Sequence, residues 1–401
     1  MEANNNQNYI PPTPEHHYNT WKIVIAGIIV ITLAFAGWFY FTFIKNPEKQ
    51  EVAPQIPLTE SQTNKIAEIP ALNLDLTLIQ VPDSQNAFSI LNTITSDEIK
   101  DTITKASQLD YVEGKSFDEN NAIKIINANK TALDKFDKAV QQTYFQIPYY
   151  SDPKLITLDS PLYPINNWRN VNNIYLIKAI TLAKQGKTDE ALTIAFKSLK
   201  LGHNIQQSQG GIILYIVGTT MKDRSLEAIQ TILPLVKSAD TLKVFNSSLD
   251  QYKDNKIGLV NALKYEYNNA LLALKSISLD IKTYLNKQIN DPSISPQEKE
   301  ILSYALNNPN KAFSEIETKK YNTDYFINQI NAVNQDCSNL KEIQIPNLLP
   351  RDQSEYINTN NIIGKLLFQV ATVNYFTVFQ KACEQNVLFN AVKNLASQTK
   401  F

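Results

Sequence analysis

Glycine is scarce in this chain, at 10 of 401 residues, and two of those, Gly27 and Gly37, fall inside one apolar run. Gly-rich phosphate loops and turn-rich β folds both draw on backbone conformations that glycine adopts at no steric cost, so this poverty argues against both. Histidine is scarcer still, with three residues. His16 and His17 lie in the amino-terminal stretch and read as solvated tail residues, which leaves His203 as the one imidazole of the folded region. A Ser-His-Asp hydrolase would have to use it as base. No G-x-S-x-G elbow, H-E-x-x-H pair, P-loop or dinucleotide fingerprint occurs. Charge of either sign in excess is also missing, with 38 basic against 39 acidic residues. Without a basic surplus to track a phosphate backbone, nucleic acid is not an expected partner. Cysteine is limited to Cys337 and Cys383, whose spacing matches no metal motif. No cofactor or metal is expected. The two thiols pair as one disulfide in an oxidising compartment, or pack reduced as small apolar groups.

What the chain does have is a run from Ile23 to Ile44 without a formal charge. Its length of about 22 residues meets the roughly 20 that a helix needs to cross a bilayer core. Trp21, Trp38 and Tyr40 stand near its ends, where amphipathic rings favour the headgroup layer, and Lys22 and Lys45 close it. Ala34-Phe35-Ala36 has the form of a signal cleavage site, but the residues after it are strongly apolar, so an uncleaved anchor is the reading. Lys22 on one side and Lys45 and Lys49 on the other leave orientation weakly specified. The layout of a short tail, one anchor and a large domain is that of a signal-anchor protein of the cytoplasmic membrane, with the large domain outside. The expected organisation is a disordered tail over 1–20, a transmembrane helix over 21–45, a Pro-containing linker over 46–70 and an extracytoplasmic domain over 71–401.

That domain reads as all-α, an irregular multi-helix bundle containing a helical hairpin. Residues 71–81 alternate apolar and polar side chains and suit a half-buried strand, or an extended segment laid along the helices. Helical periodicity then covers 84–95, 96–109 and 117–143, while Pro148, Pro153, Pro161 and Pro164 make 146–167 a loop. One long amphipathic helix is expected over 257–289. Another is expected over 361–397, as a core helix and not a second span, because Lys365 would be costly in a bilayer.

The clearest unit is 170–201. Ile174, Ile177, Ala179, Ile180 and Ala183 share one face, Gly186 ends the helix, and Thr188 opens the next with Asp189 and Glu190 in its first turn. Ala179, Leu182, Ala183, Gly186, Asp189, Glu190, Ala191, Leu192, Ala195 and Leu199 fit A-x-x-L-A-x-x-G-x-x-D-E-A-L-x-x-A-x-x-x-L. The segment resembles one tetratricopeptide-type hairpin, and no 34-residue array surrounds it. The order of elements is also similar to a family of uncharacterised, membrane-anchored helical proteins from bacteria. The similarity lies in Pro82-Asp83-x-x-Asn86-Ala87, the hairpin, and Asn361-x-x-Gly364-Lys365-Leu366-Leu367. It implies an anchored α-helical domain and transfers no catalytic residue.

Carboxylates are the remaining catalytic option. Glu266, among Tyr265 and Tyr267, and Glu227 could serve as buried general acids, though pairing with a neighbouring cation is the commoner role. His203, after Gly202, reads as a capping or surface residue. The expected function is therefore a membrane-anchored binding or scaffold protein of the cell envelope, with a protein or glycan partner. Tyr149, Tyr150, Tyr163, Trp168 and Arg169 form the candidate contact region, because such residues anchor interfaces. A carboxylate-based envelope hydrolase and a self-associating spacer are the alternatives.

Overall fold

Local side-chain chemistry explains where several helices of this domain start. The computed structural model describes Leu74, Leu76, Ile79 and residues 81–100, 117–147, 163–253, 256–279, 281–292, 294–350 and 353–398. The expected tail, membrane span and linker lie outside these residues, as do Tyr149 and Tyr150. Among the described residues no helix is long and apolar enough to cross a membrane.

Helix α1 (Ala87–Leu91) begins at Asn86, whose Oδ1 accepts the Phe88 N–H at 3.1 Å and satisfies a donor orphaned at the helix start. Two helices, α2 (Glu119–Ala128) and α3 (Lys130–Ala139), replace the single one expected over 117–143. Asn129 makes the break. Its Nδ2 donates to the Ile125 carbonyl, a local bond that competes with the helix ladder, and its Oδ1 accepts the N–H of Lys100 from an earlier segment.

The hairpin is α4 (Ile165–Lys184) and α5 (Thr188–Gln207). Gly186 turns the chain between them at φ +79°, a left-handed position that glycine tolerates best. Helix α6 (Ile212–Ile232) packs along α5, and α7 (Ala239–Leu249) follows. A Cβ on Gly218 would collide with the backbone N and Cα of Gln206, so the α5 and α6 backbones touch.

The rest comprises α8 (Ile257–Leu279), α9 (Ile281–Ile289), α10 (Pro296–Asn307), α11 (Pro309–Ala312), α12 (Glu315–Val333), α13 (Ile362–Ala371) and α14 (Phe376–Gln398). Helix α8 lies on α12, and α14 lies on α6 and α7. The helix expected over 361–397 is thus divided at 372–375. Asn374 Oδ1 accepts the Phe376 N–H at 2.9 Å and restarts the helix, while Tyr325 Oη donates to the freed Val373 carbonyl at 2.6 Å.

Among the described residues two apolar cores result. The first joins α1 to α7 around Trp168, Phe136 and Ile177; the second joins α8, α12 and α13 around Leu263, Phe326 and Phe368. Helices α6 and α14 serve both. Met221 and Phe389 enter the first core, and Tyr215 and Phe379 enter the second. Each such side chain contributes about 1.5–3 kcal/mol when buried, so the seating of α14 links the two halves energetically.

The described residues of the segment expected as a strand form neither helix nor strand. Leu74 is buried in the second core, and its carbonyl accepts from Asn268 Nδ2 at 3.5 Å. The Ile79 N–H donates to Gln209 Oε1 at 2.6 Å.

Candidate functional site

Where α5, α6 and α14 meet, the first core gives way to polar side chains. Lys222 on α6 has no exposed surface. Its Nζ donates to Gln206 Oε1 at 3.0 Å; Gln206 Nε2 donates to Gln385 Oε1 at 2.7 Å; Gln385 Nε2 donates to Asp223 Oδ1 at 2.7 Å. A buried ammonium is thereby connected to a carboxylate through two amides from two other helices. The direction is set by the charged ends: an amide that turns its oxygen to Lys222 must pass its nitrogen onward. The remaining amide protons are used too, with Gln206 Nε2 donating to Thr219 Oγ1 and Gln385 Nε2 to the Thr219 carbonyl, both at 3.0 Å.

Burial raises the Asp223 carboxyl to about 6, against the pull of the Gln385 hydrogen bond and the Lys381 and Lys222 charges, with Glu227 adding to the rise. His203 faces the same region from α5. Burial, and then the Lys222 charge, lower its imidazole to about 3, and its ring meets Tyr252 edge-on at 5.5 Å. The surface or capping role expected for His203 is therefore replaced by a neutral, packed one. Desolvation disfavours the imidazolium more than the helix end favours it.

Glu266 is partly buried, as expected, and a backbone N–H takes the place of the expected lysine or arginine partner. It reaches from α8 to the start of α6, where Oε1 accepts the Ile212 N–H at 2.9 Å. Burial raises its carboxyl and the backbone N–H partly offsets this. A carboxylate so placed caps a helix amino terminus from outside, where the dipole favours negative charge. Glu227 forms an ion pair with Arg224 at 2.6 Å. Among the described residues no group of three or more His, Cys, Asp or Glu is arranged to hold a metal ion.

The candidate contact residues part company. Trp168 is fully buried, and its Nε1 donates to the Leu91 carbonyl at 3.1 Å. Phe88 and Phe145 meet its ring edge-on and Tyr163 stacks on it at 6.2 Å. Trp168 is thus a core anchor and its ring is not presented to a partner; an indole N–H with a backbone acceptor can be buried at no polar cost. Tyr163 is half-buried in the same cluster, and Arg169, one position on, is exposed.

Cys337 and Cys383 form a disulfide with Cα atoms 5.8 Å apart, joining the turn after α12 to the second turn of α14. Beside it is a small depression lined by Leu259, Val333, Leu340, Phe379 and Ala382, with Lys256 and Asn386 among its polar members.

Lys222, Gln206, Asp223 and Gln385 were not singled out by sequence reasoning. A signal existed for one of them. Tyr215, Thr219, Lys222, Leu226 and Ile229 recur at helical spacing, which puts Lys222 on the buried stripe of α6. The chain matches no family model, no curated protein and no solved structure.

Proposed function

We propose that this is a membrane-anchored helical scaffold of the cell envelope that binds a protein or glycan partner through its exposed surface. What carries the reading is the Lys222–Gln206–Gln385–Asp223 connection. The lysine that is fully buried and the carboxylate raised to about 6 are both occupied in joining three helices. Perturbed ionisable groups mark reaction sites when a cleft exposes them to substrate. Here Lys222 is sealed, and Glu266 is engaged at a helix start. The disulfide supports an oxidising location for the domain, since such bonds persist outside the cytosol. The exposed Arg169, beside the aromatic cluster, supports that end of α4 as the contact region.

The test uses the full-length protein in intact cells. External protease should degrade the domain, and a photo-crosslinker at Arg169 should give one discrete adduct with an envelope component. A domain shielded from external protease overturns the location; no adduct from Arg169 or from exposed Tyr144 overturns the binding role.

A further inference from the structure

The segment 338–350, between the disulfide and Pro350, is held differently from the helices around it. Among the described residues, no backbone–backbone hydrogen bond ties 341–350 to another element. Its attachments are side-chain ones. Leu340, Ile343, Ile345 and Leu348 pack, partly buried, on the second core. Asn374 Nδ2 donates to Glu342 Oε1 at 2.5 Å, and the Leu348 N–H reaches Gln369 Oε1 at 3.4 Å. The covalent attachment is the Cys337–Cys383 bond at its start. Leu340 then closes one side of the depression over Leu259, Val333, Phe379 and Ala382.

Segments with few buried contacts and no backbone ladder sit at the low end of a protein's local stability range. Cys337 is exposed and Cys383 half-buried, so solvent reaches the bond from the Cys337 side. We propose that the disulfide is a redox latch: a dithiol reductant opens it, strap 338–350 lifts from α14, and the apolar surface of Phe379 and Ala382 beneath Leu340 is uncovered. The inference stands on the strap's attachments and not on the envelope reading.

The chemistry balances with the dithiol as the two-electron donor. Its thiolate attacks the Cys337 sulfur, forming a mixed disulfide and breaking the bond to Cys383, which leaves as thiolate and takes a proton. The second thiol of the reductant then attacks the mixed disulfide. Cys337 is released as a thiol, and the reductant closes to its own disulfide.

Limited trypsin digestion of the full-length protein, with and without dithiothreitol and without denaturant, tests this. Lys341 is exposed on the strap, while Lys184 and Lys187 flank the hairpin turn. Cleavage after Lys341 should accelerate at least tenfold on reduction, with cleavage at Lys184 and Lys187 unchanged, and reoxidation should restore resistance. The C337S/C383S variant should behave as the reduced protein without reductant; should it fail to fold, reduced wild type carries the test alone. Three results overturn the latch: thiols that alkylation shows are never released, an unchanged rate at Lys341 after full reduction, or parallel acceleration at Lys187, which would mean general unfolding.

Discussion

Gln385 of α14 donates to the carboxylate of Asp223 on α6 at 2.7 Å, and through Gln206 the same amide run ends on the ammonium of Lys222. Residues adjacent in sequence are thus connected by a detour through two other helices. Each amide has both nitrogen protons engaged, so no member can turn without unpairing a buried group. Such an arrangement specifies one seating of α14 against α5 and α6, because a shifted helix would leave buried polar atoms without partners.

Acid should strengthen this junction. The Asp223 carboxyl titrates near 6 in the folded protein, above the ordinary 3.8. The folded state therefore holds the proton more tightly than the unfolded chain. The resulting stabilisation is complete below about pH 4 and is lost as pH rises through 6. In urea unfolding, the stability of wild type relative to D223N should rise by about 2–3 kcal/mol between pH 7.5 and pH 4. Asn keeps an acceptor for Gln385, so the variant removes the titration and keeps the bond. A difference that stays flat across this range would show that Asp223 is not the titrating group.

Lys222 and Asp223 should be energetically coupled although two amides separate them. K222M at pH 7.5 strands the buried Gln206 oxygen and removes one of the two ammonium charges, the other being Lys381, that favour the half-buried Asp223 carboxylate, which should cost about 2–3 kcal/mol. In the D223N background the same change should cost at least about 1 kcal/mol less, the usual scale for residues sharing one network. Chemical denaturation of the four proteins closes the cycle. Strict additivity would mean that the two charges do not sense each other.

The two glycines of the hairpin region should respond differently to alanine. Gly186 has open space around its Cβ position, so G186A meets only the left-handed backbone and should cost about 1–2 kcal/mol. G218A drives a methyl group into the Gln206 backbone, where relief requires α5 and α6 to separate. Overpacking of this kind costs about 1–3 kcal/mol, and the separation also stretches the Lys222–Gln206 bond. Thermal unfolding ranks the two, and hydrogen exchange of the α5 amides near Gln206 should quicken in G218A only.

How much of this was legible in the sequence follows from the range of the interactions. The hairpin could be read because Gly186, Asp189 and Glu190 act within a few residues of themselves. The breaks at Asn129 and Asn374 could not, since the short-range bonds of these residues, to Ile125 and Phe376, win over a continued helix only with distant support: the Lys100 N–H donates to Asn129, and Tyr325 takes up the freed Val373 carbonyl. Trp168 reads as an interface anchor from sequence because it is an indole at the end of a tyrosine- and proline-rich stretch. Its burial depends on Leu91 and Phe88, about eighty residues earlier. The Lys222 connection spans three helices, and no local pattern encodes it.

The neighbours Trp168 and Arg169 allow folding to be separated from binding. W168A removes a fully buried ring and strands the Leu91 carbonyl, which should cost about 3–5 kcal/mol. W168F keeps most of the volume and loses the N–H donor, so about 1–3 kcal/mol is expected. Arg169 is exposed, so R169A should leave stability within about 0.5 kcal/mol of wild type. If α4 meets a partner at this end, R169A should weaken capture at unchanged melting temperature, whereas W168F should lower the melting temperature and spare capture by the protein that remains folded. Loss of both properties together in R169A would return Arg169 to a structural role.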